Sequence, residues 1–83
     1  WAIPQIDFTQ THDYFGPETI RLRTQRMLQL SPKPHIVGEG GGPAPGPNRA
    51  ADPDGLDFHN CLWAAAVSGA AGGTLSWWWR ERI

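Results

Sequence analysis

Glycine and proline cut this chain into short pieces, and their positions constrain the fold more than any other feature. Gly16-Pro17 precedes one run of residues and Ser31-Pro32-Lys33-Pro34 follows it. A Gly/Pro-rich stretch fills 38–55, and Gly69, Gly72 and Gly73 follow a second run. Proline lacks an N–H and glycine carries the largest backbone entropy cost, so neither favours the interior of a helix or a central strand. Many of the ten glycines and eight prolines fall between 38 and 55, so they mark one long loop rather than general disorder.

The pieces alternate in character. "IPQIDFTQTHDY" reads as a strand running into a polar tip, with Ile6 and Phe8 as apolar bulk and Thr9 and Thr11 as β-branched residues. Pro17 and Glu18 suit the first turn of a helix. Ile20, Thr24, Met27 and Leu28 then form one helical stripe, with Arg21 and Gln25 on another, while Leu22 and Arg23 blur the pattern. "HIVGE" is a short apolar strand ending in a carboxylate. After the loop, Asp57 is placed to cap a second helix that presents Phe58, Leu62 and Ala65 on one face. "TLSWWW" is the third strand.

Strand, helix, strand, helix, strand argues for parallel strands joined by crossovers. Two helices cannot cover both faces of three such strands, so the expected architecture is α/β, a part of a larger sheet or barrel. With no initiator Met and an end directly after the aromatic cluster, residues 1–83 read as a piece of one longer domain. A net charge of -1 offers no electrostatic case for nucleic acid or anionic lipid. Cys61 is the single cysteine, which excludes an intrachain disulfide. The 19 residues from Cys61 to Trp79 carry no charge, a length that could span a bilayer. They are mostly Ala, Gly and Ser, however, and a helix, a glycine turn and a buried strand explain them better than a membrane span.

Ligands of parallel α/β folds sit at the C-terminal strand ends. Here those ends carry His12, Asp13 and Tyr14, then Glu39, then Trp77, Trp78 and Trp79. With period two, Gln10, His12 and Tyr14 share a face. Thr74, Ser76 and Trp78 share another, assigned to the same interior as Gln10, so Trp78 is the indole expected to meet a ligand and Trp77 is expected in the core. Indoles stack on the apolar face of a sugar, and His, Tyr and carboxylates bind its hydroxyls. A retaining glycosidase needs two carboxyl groups about 5–5.5 Å apart. Glu39 suits the nucleophile, with Tyr14 or His12 donating a hydrogen bond that favours its charged form. Asp7 and Asp13 fall on the opposite face from His12 and Tyr14, so the second carboxyl is expected outside this chain. His12, His35, Glu39 and His59 raise a metal centre as a rival. His35 and Glu39 share a strand face in this reading, but His35 lies two steps deeper and His59 is on the following helix, so no compact ligand set results. "GEGGGPAPG" lacks the pattern of a phosphate loop.

"DFTQTHDY", "KPHIVGEGG" and "DFHNCLWAAAVSGAAGGTLSWWW" together resemble the last three strands of clan A retaining glycoside hydrolases, the cellulase- and mannanase-like (β/α)8 barrels. The resemblance spans nearly the whole chain. It implies a partial TIM barrel of three parallel strands and two intervening helices, acting on β-glycosidic bonds without a cofactor or metal. It implies Glu39 as nucleophile, His12 and Tyr14 lining the cleavage subsite, and Trp78, with Trp79 as a second candidate, as sugar platform. The acid/base would lie on an absent strand, the isolated segment would be inactive, and the parent would be secreted or periplasmic. The implied partner is a carbohydrate, with no nucleic acid or membrane. His59 and Asn60 would have a structural role at the start of the second helix. Arg80 replaces an acidic residue common among relatives, which bears on the substrate more than on the reaction. The alternative function is a non-catalytic carbohydrate-binding module using the Trp surface.

Overall fold

A computed structural model describes residues 2–41 and 52–74. The described chain is a small α/β unit: β1 (Thr9–Asp13), α1 (Pro17–Leu30), β2 (His35–Gly40) and α2 (Leu56–Val67). β1 and β2 pair in parallel. On the other edge of β2, Gly72 forms an isolated parallel bridge with Ile36. There Ala71 N–H donates to the His35 carbonyl at 2.7 Å, and Val37 N–H to the Gly72 carbonyl at 3.3 Å. The expected third strand continues into Leu75–Trp79, which lies outside the described residues, as does most of the long loop.

Helix α1 starts where its composition says. Gly16 takes φ 86°, a region that penalises any residue with a Cβ, and Pro17 follows at the first helical position. Ile20, Thr24 and Met27 are buried as expected. Leu28 is not; it is 38% exposed at the edge of the stripe, near Gly69. Ser31 ends the helix in extended conformation before Pro32. On the solvent side, Arg21 bonds Glu18 at 2.6 and 2.8 Å and Gln25 at 3.0 Å.

Three other local expectations are corrected. β1 begins only at Thr9, and Ile6 and Phe8 precede it with 46% and 45% of their surface exposed. Helix α2 begins at Leu56 after Gly55, and Asp57 does not cap it. The carboxylate of Asp52 serves instead, accepting from Phe58 N–H at 3.1 Å. Its burial opposes the charge, but hydrogen bonds from the backbone of Asp57, Phe58 and Leu56 outweigh burial and hold the carboxyl below its ordinary range. The buried face of α2 is Cys61 and Ala65, with Phe58 only partly buried and Leu62 exposed. The helix ends in a Schellman turn: Ala70 N–H bonds Ala65 C=O and Gly69 N–H bonds Ala66 C=O, each at 3.1 Å, with Gly69 at φ 95°.

Both helices belong to one small core. Ile20, Val37, Cys61 and Ala65 are fully buried together, flanked by Ala64 and Ala70. Burying Ile20 or Val37 contributes about 1.5–3 kcal/mol each. Cys61 acts here as an apolar side chain, its thiol pushed up to about 12 by burial and then by Asp57 and Asp52. The sheet side bearing Val37 is therefore covered, and the side bearing Gln10 and His12 is open to solvent. No helix among the described residues is long and apolar enough to cross a membrane.

Candidate active site

The site is made by an irregularity in β2. Thr9, Gln10 and Thr11 pair regularly with His35, Ile36 and Val37, but His12 pairs with Glu39, skipping Gly38. A one-residue slip exchanges the faces of every residue beyond it. Regular pairing would have set Glu39 opposite Asp13, on the covered side. The bulge sets it opposite His12 instead, so the expectation that His35 and Glu39 share a strand face is overturned.

Glu39 consequently meets both expected partners. Tyr14 Oη donates to Glu39 Oε2, and His12 Nδ1 lies 3.3 Å from the same oxygen. The Glu39 side chain is 24% exposed and that of His12 46%, so both are reachable from solution. Behind them, Gln10 Nε2 stands 2.9 Å from His12 Nε2. The Gln10 amide fills the space a Cβ at position 38 would occupy, which explains the glycine there. A carboxylate held from one side by a phenol and an imidazole, at the C-terminal end of parallel strands, is oriented for nucleophilic attack or for binding hydroxyls.

The opposite face of β1 carries a second polar system that the sequence reading did not assemble. Asp13 is fully buried and accepts from Arg23 Nη1 at 2.8 Å and from Thr11 Oγ1 at 2.7 Å. Thr11 Oγ1 also stands 3.1 Å from His35 Nε2, and Thr9 Oγ1 is 2.9 Å from His35 Nδ1. Because Thr11 donates its one proton to Asp13, its oxygen must accept from His35 Nε2–H, while the Thr9 hydroxyl beside Nδ1 also lies 3.4 Å from the Pro34 carbonyl, to which it can donate. Nε2 of the buried ring thus carries a proton. The signal for this chain was present: Thr9, Thr11 and Asp13 alternate along one strand face, and Arg23 stands one turn and a half beyond the start of α1.

Burial lowers the pKa of His35 from 6.5, with Asp13 opposing in part. Below pH 6.5 the unfolded chain therefore binds a proton that the folded chain resists. Stability is full above that pH and falls on acidification until the depressed folded pKa is reached. Urea unfolding at stepped pH is expected to show a loss of at most about 1.4 kcal/mol per pH unit in this window. His35→Gln should remove that component, and an unchanged slope in the variant would refute the assignment.

The remaining candidates fall elsewhere. Asp7 precedes β1 and is exposed. His59 and Asn60 are exposed on α2, His59 Nδ1 lying 3.3 Å from Asn60 Oδ1 and its ring 6.3 Å from that of Trp63. His35 and His59 are thus apart from the pair formed by His12 and Glu39, and no group of three His, Cys, Asp or Glu among the described residues could hold a metal ion. Trp77, Trp78 and Trp79 lie outside the described residues. The choice of Trp78 rested on Thr74 sharing the face of Gln10. Thr74 is instead buried, and its methyl group and the Ile20 δ-methyl both border the vacant Cβ position of Gly40, on the side of α1. No family model matches the chain, and neither does any curated protein or solved structure.

Proposed function

We propose that this chain carries the nucleophile of a retaining β-glycoside hydrolase, with Glu39 attacking the anomeric carbon and the acid/base supplied from outside these residues. The observation that carries the reading is Glu39 Oε2 held by Tyr14 and faced by His12 on the open side of a parallel sheet. Two further features support it. The open face, with Gln10 and His12 exposed, leaves room for a sugar ring. The exposed apolar residues Leu22 on α1 and Leu56, Trp63 and Val67 on α2 suit helices flanked by neighbours. In the first step the carboxylate oxygen forms an ester to the anomeric carbon as the protonated leaving group departs. In the second, water activated by the same acid/base cleaves that ester, giving net retention.

The test is covalent trapping in the full-length protein. A 2-deoxy-2-fluoro β-glycoside with a good leaving group slows both oxocarbenium-like steps, and the leaving group preserves the first, so the glycosyl ester accumulates. Trypsin is blocked between Lys33 and Pro34, so Glu39 lies in the peptide 27–49, where it is the sole carboxylic side chain. That peptide is expected to gain the mass of one fluorosugar. A protein that hydrolyses β-glycosides with retention but labels another peptide would remove Glu39 from this role. A protein that binds the sugar without any label or turnover would instead be a binding module.

A further inference from the structure

We infer that Gln10 is a positioning residue that fixes the tautomer of His12, and that Gly38 is the seat on which Gln10 does so. The inference rests on the proposed role of Glu39. His12 stands between a carboxylate oxygen, 3.3 Å from Nδ1, and the Gln10 amide nitrogen, 2.9 Å from Nε2. A neutral imidazole has one N–H and one lone pair. With the lone pair on Nδ1, it would face the lone pairs of Glu39 and repel them. With the lone pair on Nε2, it meets the N–H of Gln10, and Nδ1–H points its positive end at the carboxylate. The second arrangement satisfies both neighbours, yet it is the tautomer that free histidine in water disfavours. Gln10 supplies the donor that selects it.

The backbone shows how Gln10 is held for this task. Its Cγ, Cδ and Nε2 all lie within 3.0 Å of the point where a Cβ at position 38 would stand. The glutamine thus lies flat over the bulge, and the same residue that turns Glu39 toward His12 leaves space for the side chain that orients His12. The obstruction is the far end of a flexible side chain, so alanine at 38 would displace the amide without dismantling the strand. In this arrangement Gln10 acts through His12.

The test reads the ring nitrogens directly. The full-length protein, labelled with 15N-histidine, is examined by long-range proton–nitrogen correlation above the titration of its histidines, His12 being assigned by its loss in His12→Asn. The expected wild-type signature is a protonated Nδ1 and a pyridine-like Nε2. Gln10→Leu and Gly38→Ala, each checked for an unchanged circular dichroism spectrum, are both expected to move His12 toward the Nε2–H form. Both should also lower kcat by about 10- to 100-fold, the effect of losing one hydrogen bond to a charged group. A wild-type ring protonated at Nε2 would overturn the inference, as would a tautomer unchanged in Gln10→Leu. Failure of Glu39 as nucleophile would appear separately, in the peptide label, with the nitrogen shifts unaffected.

Discussion

Glu39→Gln is expected to lower turnover of β-glycosides by the full-length protein by about 10⁴-fold or more, the scale seen when a covalent nucleophile is removed. The carboxamide has nearly the same shape, so Tyr14 can still donate to its oxygen. It lacks the negative charge and the nucleophilic lone pair that form the ester. The side chain lies at the partly exposed end of β2, outside the core of Ile20, Val37, Cys61 and Ala65. Its replacement should therefore leave the unfolding midpoint unchanged. A second variant separates chemistry from binding. Glu39→Ala opens room for a small anion on the side from which the carboxylate would attack. Azide is expected to restore turnover of an activated β-glycoside and to yield the α-glycosyl azide, because one displacement inverts the anomeric carbon. Retained turnover in Glu39→Gln, or a β-configured azide product in Glu39→Ala, would sink the nucleophile assignment.

Much of this arrangement was legible because it depends on local chemistry. Gly16-Pro17 marks the start of α1, Ser31-Pro32 its end, and the spacing of Ile20, Thr24 and Met27 its buried face. The alternation of Gln10 and His12 likewise identifies the open face of β1. What alternation cannot show is a change of register. Nothing in "HIVGEG" announces that Gly38 is passed over in the pairing, because the close neighbour of that glycine is a side chain on the adjacent strand, Gln10. Period two therefore put Glu39 with His35, the wrong partner. Asp57 misled for a related reason. It stands beside the helix start in sequence, but the turn from Asp52 to Gly55 folds an earlier carboxylate back onto the first backbone N–H groups. Arg23 looked like noise in a helical stripe. Its role became evident only when the strand end carrying Asp13 was set against α1.

Arg23→Met is expected to destabilise the protein by about 2–3 kcal/mol, the largest loss from any single polar change on the covered face. Asp13 is fully buried, and with Arg23 gone its charge retains, of its side-chain donors among the described residues, only the Thr11 hydroxyl. Removing one partner of a buried ion pair usually costs about 3–5 kcal/mol, because the remaining charge is left uncompensated. The Arg23 side chain is 53% exposed, so water can partly replace it and the lower figure applies. Methionine keeps most of the aliphatic stem, which limits the packing loss. The decisive comparison is made in an Asp13→Asn background, where no buried charge remains. There Arg23→Met should cost less than about 1 kcal/mol, and the difference measures the pair. An equal cost in both backgrounds would mean that Arg23 acts through its stem alone. The consequence reaches the site as well. His12 and Tyr14 flank Asp13 in the chain and project from the strand end that Arg23 anchors, so loosening that anchor should slow turnover without altering the His12 tautomer. Gln10, three residues earlier, still lies on Gly38 and still faces the ring.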